Sequence, residues 1–128
     1  MIVLDASIVV ELLSNTPRVQ PLQDELAESF HVMIVPHLLD VEVTSALRGL
    51  SSSGRIDPQT AKTFLRRLIA LPAERQDHVP LLGRIWELRH NFGAYDATYI
   101  ALAEATGATL YTCDQKMAKG HRAKVVVF

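Results

Sequence analysis

Apolar residues follow two rhythms along this chain. In four short runs nearly every position is apolar: IVL at 2–4, MIV at 33–35, ATLYTC at 108–113 and VVVF at 125–128. Such runs predict strands buried on both faces. Between them apolar residues return every three or four positions, the helical period. A helix is expected from about Ser7 to Leu13, and a turn over 14–18. A second helix follows over 19–30, with Pro21 in its first turn, where a missing N–H costs nothing. Leu39, Val43, Ala46, Leu47 and Leu50 set a helix over 37–50, ended by SSSG at 51–54. Asp57 then Pro58 form a strong helix start, a carboxylate cap followed by proline at the first helical position, and that helix runs to about Ile69. Further helices are expected over 79–90 and 94–106, the last stopped by Gly107. Strands alternating with helices, with extra helices in the middle, predict a three-layer α/β fold whose short central parallel sheet is flanked by helices.

Composition changes this picture little. The 128 residues suit a single domain over 1–128, with no repeat, low-complexity segment or domain-scale linker. Lys plus Arg total 13 and Asp plus Glu total 14, a net charge of -1 that neither requires nor excludes nucleic acid. One cysteine, Cys113, rules out an internal disulfide and a cysteine-built zinc site; it suits a reducing cytoplasm. The apolar opening MIVLDASIVVELL lacks a basic leader and is broken by Asp5 and Glu11, so it is a poor secretion signal. No run reaches the roughly 18 uncharged apolar residues that span a bilayer, and a soluble protein is expected.

Four acids interrupt these apolar segments. Asp5 directly follows the first strand, and Asp114 directly follows ATLYTC. In a parallel sheet ligands collect at the carboxyl ends of strands, so both acids face one rim if their strands are neighbours. Glu42 sits in LLDVEVTSAL between Val41 and Val43, while Asp40 points elsewhere around the same helix. Asp96 falls in the first turn after Gly93, where free backbone N–H groups favour negative charge. Each acid also has a plain structural reading: a cap for Asp5, a helix-start acid for Asp96, a turn initiator for Asp114, a partly exposed face for Glu42. Taken together, a shared site accounts for them better. Clustered carboxylates repel one another and are costly to desolvate. A hard divalent cation relieves that cost, and magnesium or manganese suits oxygen donors. His31, His37, His78, His90 and His121 are scattered and read as surface or capping residues.

VLDASIVVELL at 3–13, VPHLLDVEVTSALR at 35–48, YDATYIALAEATGATLYTCD at 95–114 and the closing VVVF together resemble the PIN-domain ribonucleases, in particular the VapC-type toxins of bacterial toxin–antitoxin pairs. Each motif alone is weak; in this order along nearly the whole chain they are strong. The resemblance matches Asp5 to the family's first-strand aspartate, Glu42 to its helix glutamate, Asp96 to the aspartate of the YDA helix and Asp114 to the acid of the TxD segment. Ser7 and Thr112 match the small hydroxyl residues that support this acidic centre. It implies magnesium- or manganese-dependent cleavage of single-stranded RNA, a cognate antitoxin whose C-terminal segment occupies the active-site groove, and a homodimer.

In that reading Asp5, Glu42 and Asp96 hold the principal metal, and Asp114 holds a second metal or positions water. Lys116, Lys119, Arg122 and Lys124 are candidate RNA-backbone contacts, with an ordinary solvated loop as the alternative. Thr112 is expected on the side of Asp114, with Cys113 facing the core. Tyr95 and Tyr99, four apart, can stack on each other, on another helix or on RNA bases; Trp86 and Phe92 read as packing. Competing functions are a PIN-type RNA-processing nuclease without an antitoxin, a non-catalytic RNA- or protein-binding module, and an aspartyl phosphatase. DASIV lacks the second acid that the phosphatase arrangement needs two positions later.

Overall fold

The computed structural model describes residues 1–128. It opens with β1 (Ile2–Leu4), every side chain of which is buried. Asp5 ends the strand with extended backbone and caps α1 (Ala6–Ser14) by accepting from the Ile8 N–H at 3.1 Å. Asn15 stops α1 in the left-handed region, at φ 54°. A 3-10 turn at Pro17–Val19 leads into α2 (Gln20–Glu28), which has Pro21 in its first turn. Then come β2 (Met33–Pro36), α3 (Leu38–Ser52) and α4 (Pro58–Ile69), the last capped by Asp57, which accepts from the Thr60 N–H at 2.7 Å. β3 (Ala73–Gln76) is followed by a 3-10 turn at Val79–Leu81, α5 (Leu82–Glu87) and α6 (Ala94–Thr106). Gly107, at φ 70°, turns the chain into β4 (Thr109–Thr112); a 3-10 turn at Gln115–Ala118 precedes β5 (Val125–Val127).

All five strands are parallel, in the order β3-β2-β1-β4-β5. From β1 the chain steps outward through β2 to β3. It then returns to the other side of β1 as β4 and continues to β5. Crossovers between parallel strands are right-handed, so the reversal of direction sends the later helices to the opposite face. Contacts agree: α1, α3 and α4 pack on one another, whereas α5 packs on α6, which lies over β1, β2 and β4. A core of 29 buried residues fills both interfaces, with Leu4, Ile8, Ile100 and Leu110 wholly buried.

The point of reversal lies between β1 and β4. Parallel pairing sets Leu4 beside Tyr111. One step further on, Asp5 and Thr112 meet at the carboxyl rim. That is the place where open α/β sheets bind ligands, because the connections leaving the two strands diverge there.

Two elements depart from the sequence pattern. β3, AERQ, is a strand that no apolar run announced; it lies at the sheet edge, paired to β2 alone. Arg75 secures it. Its guanidinium donates to both oxygens of Asp40 (3.0 and 3.2 Å) and to the carbonyls of Leu68, Leu71 and Ala73, which ties the end of α4 to the start of α3. The helix expected over 79–90 is instead a 3-10 turn and the six-residue α5. Pro80 and Gly83 both weaken regular helix in this stretch.

Candidate active site

Asp5 is 5% exposed and held at both carboxylate oxygens. Oδ1 accepts from the Ser7 hydroxyl at 2.6 Å and from the Ile8 N–H. Oδ2 accepts from the Thr112 hydroxyl. Ser7 and Thr112 are bound in turn: Ser7 Oγ accepts from the Cys113 N–H at 2.9 Å, and Thr112 Oγ1 accepts from the Asp114 N–H at 3.0 Å. The two hydroxyls thus link the β1–α1 junction to the end of β4 and fix Asp5 without any cation. The same carboxylate caps α1 and bridges to the end of β4. Cys113 is half-buried against the core.

Glu42 projects from α3, half-buried, and accepts from the Tyr99 hydroxyl at 2.6 Å through Oε2. Tyr99 does not stack on Tyr95. It is 1% exposed, whereas Tyr95, one helical turn earlier, is 64% exposed. Nothing along the chain announces the Tyr99–Glu42 bond beyond the spacing of Tyr99 three residues after Asp96, which puts both on one face of α6. Asp96 lies in the first turn of α6, and with Glu42, Gly93, Ala94 and Tyr95 it lines a cleft of about 420 Å³. The largest cavity, about 700 Å³, lies among α1, α2 and α4 and is lined by apolar residues such as Leu13, Leu26 and Met33, with none of the four acids.

Asp114 caps the 3-10 turn after β4 by accepting from the Lys116 N–H at 2.9 Å. The four basic residues that follow it do not stay together. Lys116 is close enough to Asp96 to favour its charged form. Lys119 ends the 3-10 turn, exposed. The Arg122 N–H donates to Glu104, eight residues along α6 from Asp96. Lys124 accepts from the Leu110 N–H just before β5 begins, at the amino ends of the strands.

Electrostatics couples the four acids. Burial pushes the Asp5 carboxyl above its ordinary value, against the pull of its hydrogen bonds to Ser7, Thr112 and Ile8. Glu42 is raised by burial, then by the charges of Asp96 and Asp5, against the Tyr99 hydrogen bond. Asp96 is raised by burial, then by Asp114 and Asp5. None of the four enters an ion pair; those of the structure join Glu25 to His31, Asp40 to Arg75, and Arg84 to Glu87 and Glu104. The side chains share a rim and one another's field without closing tightly: no three His, Cys, Asp or Glu stand near enough to hold an ion among them. The donor set nonetheless fits a hard divalent cation. It is all oxygen and none of its members is in an ion pair, the donor chemistry that magnesium takes.

Residues 2–122 match the PIN domain family. Ribonuclease VapC9 of Mycobacterium tuberculosis is 40% identical over 117 residues, covering 91% of this chain and 88% of that protein. Two solved structures share the fold. VapC20 of M. tuberculosis, described as a sarcin–ricin loop cleaving toxin, aligns at a TM-score of 0.70 with 18% identity, over 92% of this chain and 93% of its own. A toxin–antitoxin complex from Klebsiella pneumoniae aligns at 0.70 with 17% identity, over 98% and 96%. No helix is long and apolar enough to cross a membrane.

Proposed function

We propose, for a chain that belongs to the PIN-domain family and within it to the VapC-type ribonucleases, that it hydrolyses RNA phosphodiester bonds with a divalent cation, magnesium or manganese, held at the carboxyl rim of the sheet. The observation that carries this reading is the acids gathered at the β1/β4 reversal: Asp5, Glu42 and Asp96 are raised above their ordinary values, and neither they nor Asp114 enter an ion pair. Asp5, Glu42 and Asp96 would hold the ion, and Asp114 would orient water or a second ion. A bound cation there lowers the pKa of water and stabilises charge on the reacting phosphate.

The chain's own residues do the rest. Ser7 and Thr112 would keep Asp5 in place as it holds the ion. Lys116, beside Asp96, offsets the repulsion that the acids would exert on an RNA backbone. Lys119 lies on the same 3-10 turn and is the next candidate backbone contact. Arg122 and Lys124, nearer the amino ends, would meet RNA only where it leaves the rim.

The name of VapC9 and the description of VapC20 support RNA as substrate. The Klebsiella complex supports an antitoxin partner, and the toxin of a toxin–antitoxin pair is the biological role that follows. A homodimer belongs to the same reading; Leu82 and Trp86 of α5, 52% and 68% exposed, offer apolar surface for it.

The test is cleavage of a broad RNA pool by protein purified free of inhibitor, with end mapping, in magnesium, in manganese and in chelator. Fragments with either ion and none in chelator are expected. Cleavage that persists in chelator sinks the metal-dependent reading.

A further inference from the structure

Glu42 makes a single side-chain hydrogen bond, and its donor is the hydroxyl of Tyr99. The bond spans 57 residues and joins α3 to α6. A glutamate has three rotatable side-chain bonds, so an unrestrained Glu42 would sweep a wide arc over the rim. With Oε2 occupied by Tyr99, that freedom is lost, and Oε1 is left without a protein partner. At 1% exposure, Tyr99 cannot reach RNA or solvent. Its position on α6, three residues after Asp96, means that one helix both presents an acid and grips another from the opposite layer.

We propose that Tyr99 is a positioning residue for the ion site: its hydroxyl fixes Glu42 so that Oε1 is aimed at the cation. The proposal rests on the reading of Glu42 as a ligand. Groups that orient a ligand in this way commonly change ion affinity by about 10–100-fold.

The fold supplies its own control. Tyr111, 6% exposed, donates its hydroxyl to Glu25 at 2.5 Å, an acid that pairs with His31 and stands apart from the four. Removing that hydroxyl deletes the same chemical bond elsewhere in the molecule. A tyrosine that merely satisfies its hydroxyl in the core would behave alike at both positions.

The experiment measures Mn²⁺ affinity by calorimetry on the full chain, beside thermal stability, for Tyr99→Phe, Tyr111→Phe, Glu42→Gln and the double variant Tyr99→Phe/Glu42→Gln. Tyr99→Phe is expected to weaken Mn²⁺ binding about tenfold or more, Tyr111→Phe not at all. The effect of Tyr99→Phe should vanish once Glu42 is already Gln. Equal affinity in Tyr99→Phe and the parent, with Glu42→Gln weakened, overturns the positioning role and leaves the ion site standing. Unchanged affinity in Glu42→Gln overturns the ligand reading itself. Should Tyr99→Phe not fold, the parent labelled with 3-fluorotyrosine gives a second measurement. Magnesium should shift the Tyr99 fluorine resonance, assigned by difference from Tyr95→Phe and Tyr111→Phe, and a Tyr99 signal unmoved at magnesium saturation overturns the proposal.

Discussion

Glu104 and Asp5 are both poorly exposed acids, yet the fold treats them in opposite ways. Glu104 accepts from Arg84 at 2.7 and 3.1 Å and from the Arg122 N–H at 2.8 Å; Arg84 foremost holds its carboxyl below the usual range. Asp5 has hydroxyl and amide partners but no cation, and burial holds it above. Glu42 and Asp96 go the same way as Asp5, each with neighbouring acids adding to the rise. Glu104 serves the fold and has its counter-charge built in. Asp5, Glu42 and Asp96 enter no ion pair and are held above their ordinary values, and all three lie at the strand-order reversal.

The largest test of this contrast is Asp5→Asn. RNA cleavage should fall on the order of 10³-fold, the scale lost when electrostatic stabilisation of a transition state is removed. Magnesium at a hundred times its Kd should stabilise the parent by about 2.7 kcal/mol, roughly 10 °C in Tm for a chain of this size, and Asp5→Asn should lose most of that rise. A folded Asp5→Asn protein with full cleavage would erase the distinction. Glu104→Ala should do the reverse. It destabilises by about 2 kcal/mol, the order of a lost charged hydrogen-bond set, and it keeps both cleavage and the magnesium-induced rise in Tm. Calorimetric melting of the two variants with and without magnesium separates the cases.

The smallest effect is in pH, and it has opposite signs in the two regions. For a raised carboxyl the folded chain holds more protons than the unfolded one between the unfolded value, about 4, and the higher folded value. The penalty from Asp5, Glu42 and Asp96 in ion-free protein is therefore relieved as pH falls through that window. Glu104 contributes stability that is complete above its unfolded value and lost as pH falls through its depressed folded value. Stability measured against pH should thus show parent protein gaining on Asp5→Asn as pH drops towards 4, and Glu104→Ala losing less than parent below it. Curves that run parallel would remove the electrostatic basis of the comparison.

The rim acids were legible because each directly follows or interrupts an apolar segment, and that local signal survives folding. β1, β2, β4 and β5 were legible for the same reason. β3 was not, since nothing within AERQ selects a strand; it becomes one by pairing with β2 and through the reach of Arg75 to Asp40 and the end of α4. The bond from Tyr99 to Glu42 was not legible, because periodicity gives the face of a helix but not the partner that arrives from another layer. The basic residues from Lys116 to Lys124 looked like a patch because they are close in sequence. Over that stretch the chain travels from the carboxyl ends of the strands to the start of β5, which disperses them.

The pairing of β1 with β4 has a consequence for synthesis. Asp5 leaves the ribosome 107 residues before Thr112, which clasps it, and earlier still than Asp114. Until then the sheet lacks one of the two strands that form the rim, and Asp5 has no opposite wall. The rim of a nascent chain built on this plan therefore closes in one step, when β4 slots in beside β1, and not strand by strand as the sheet grows.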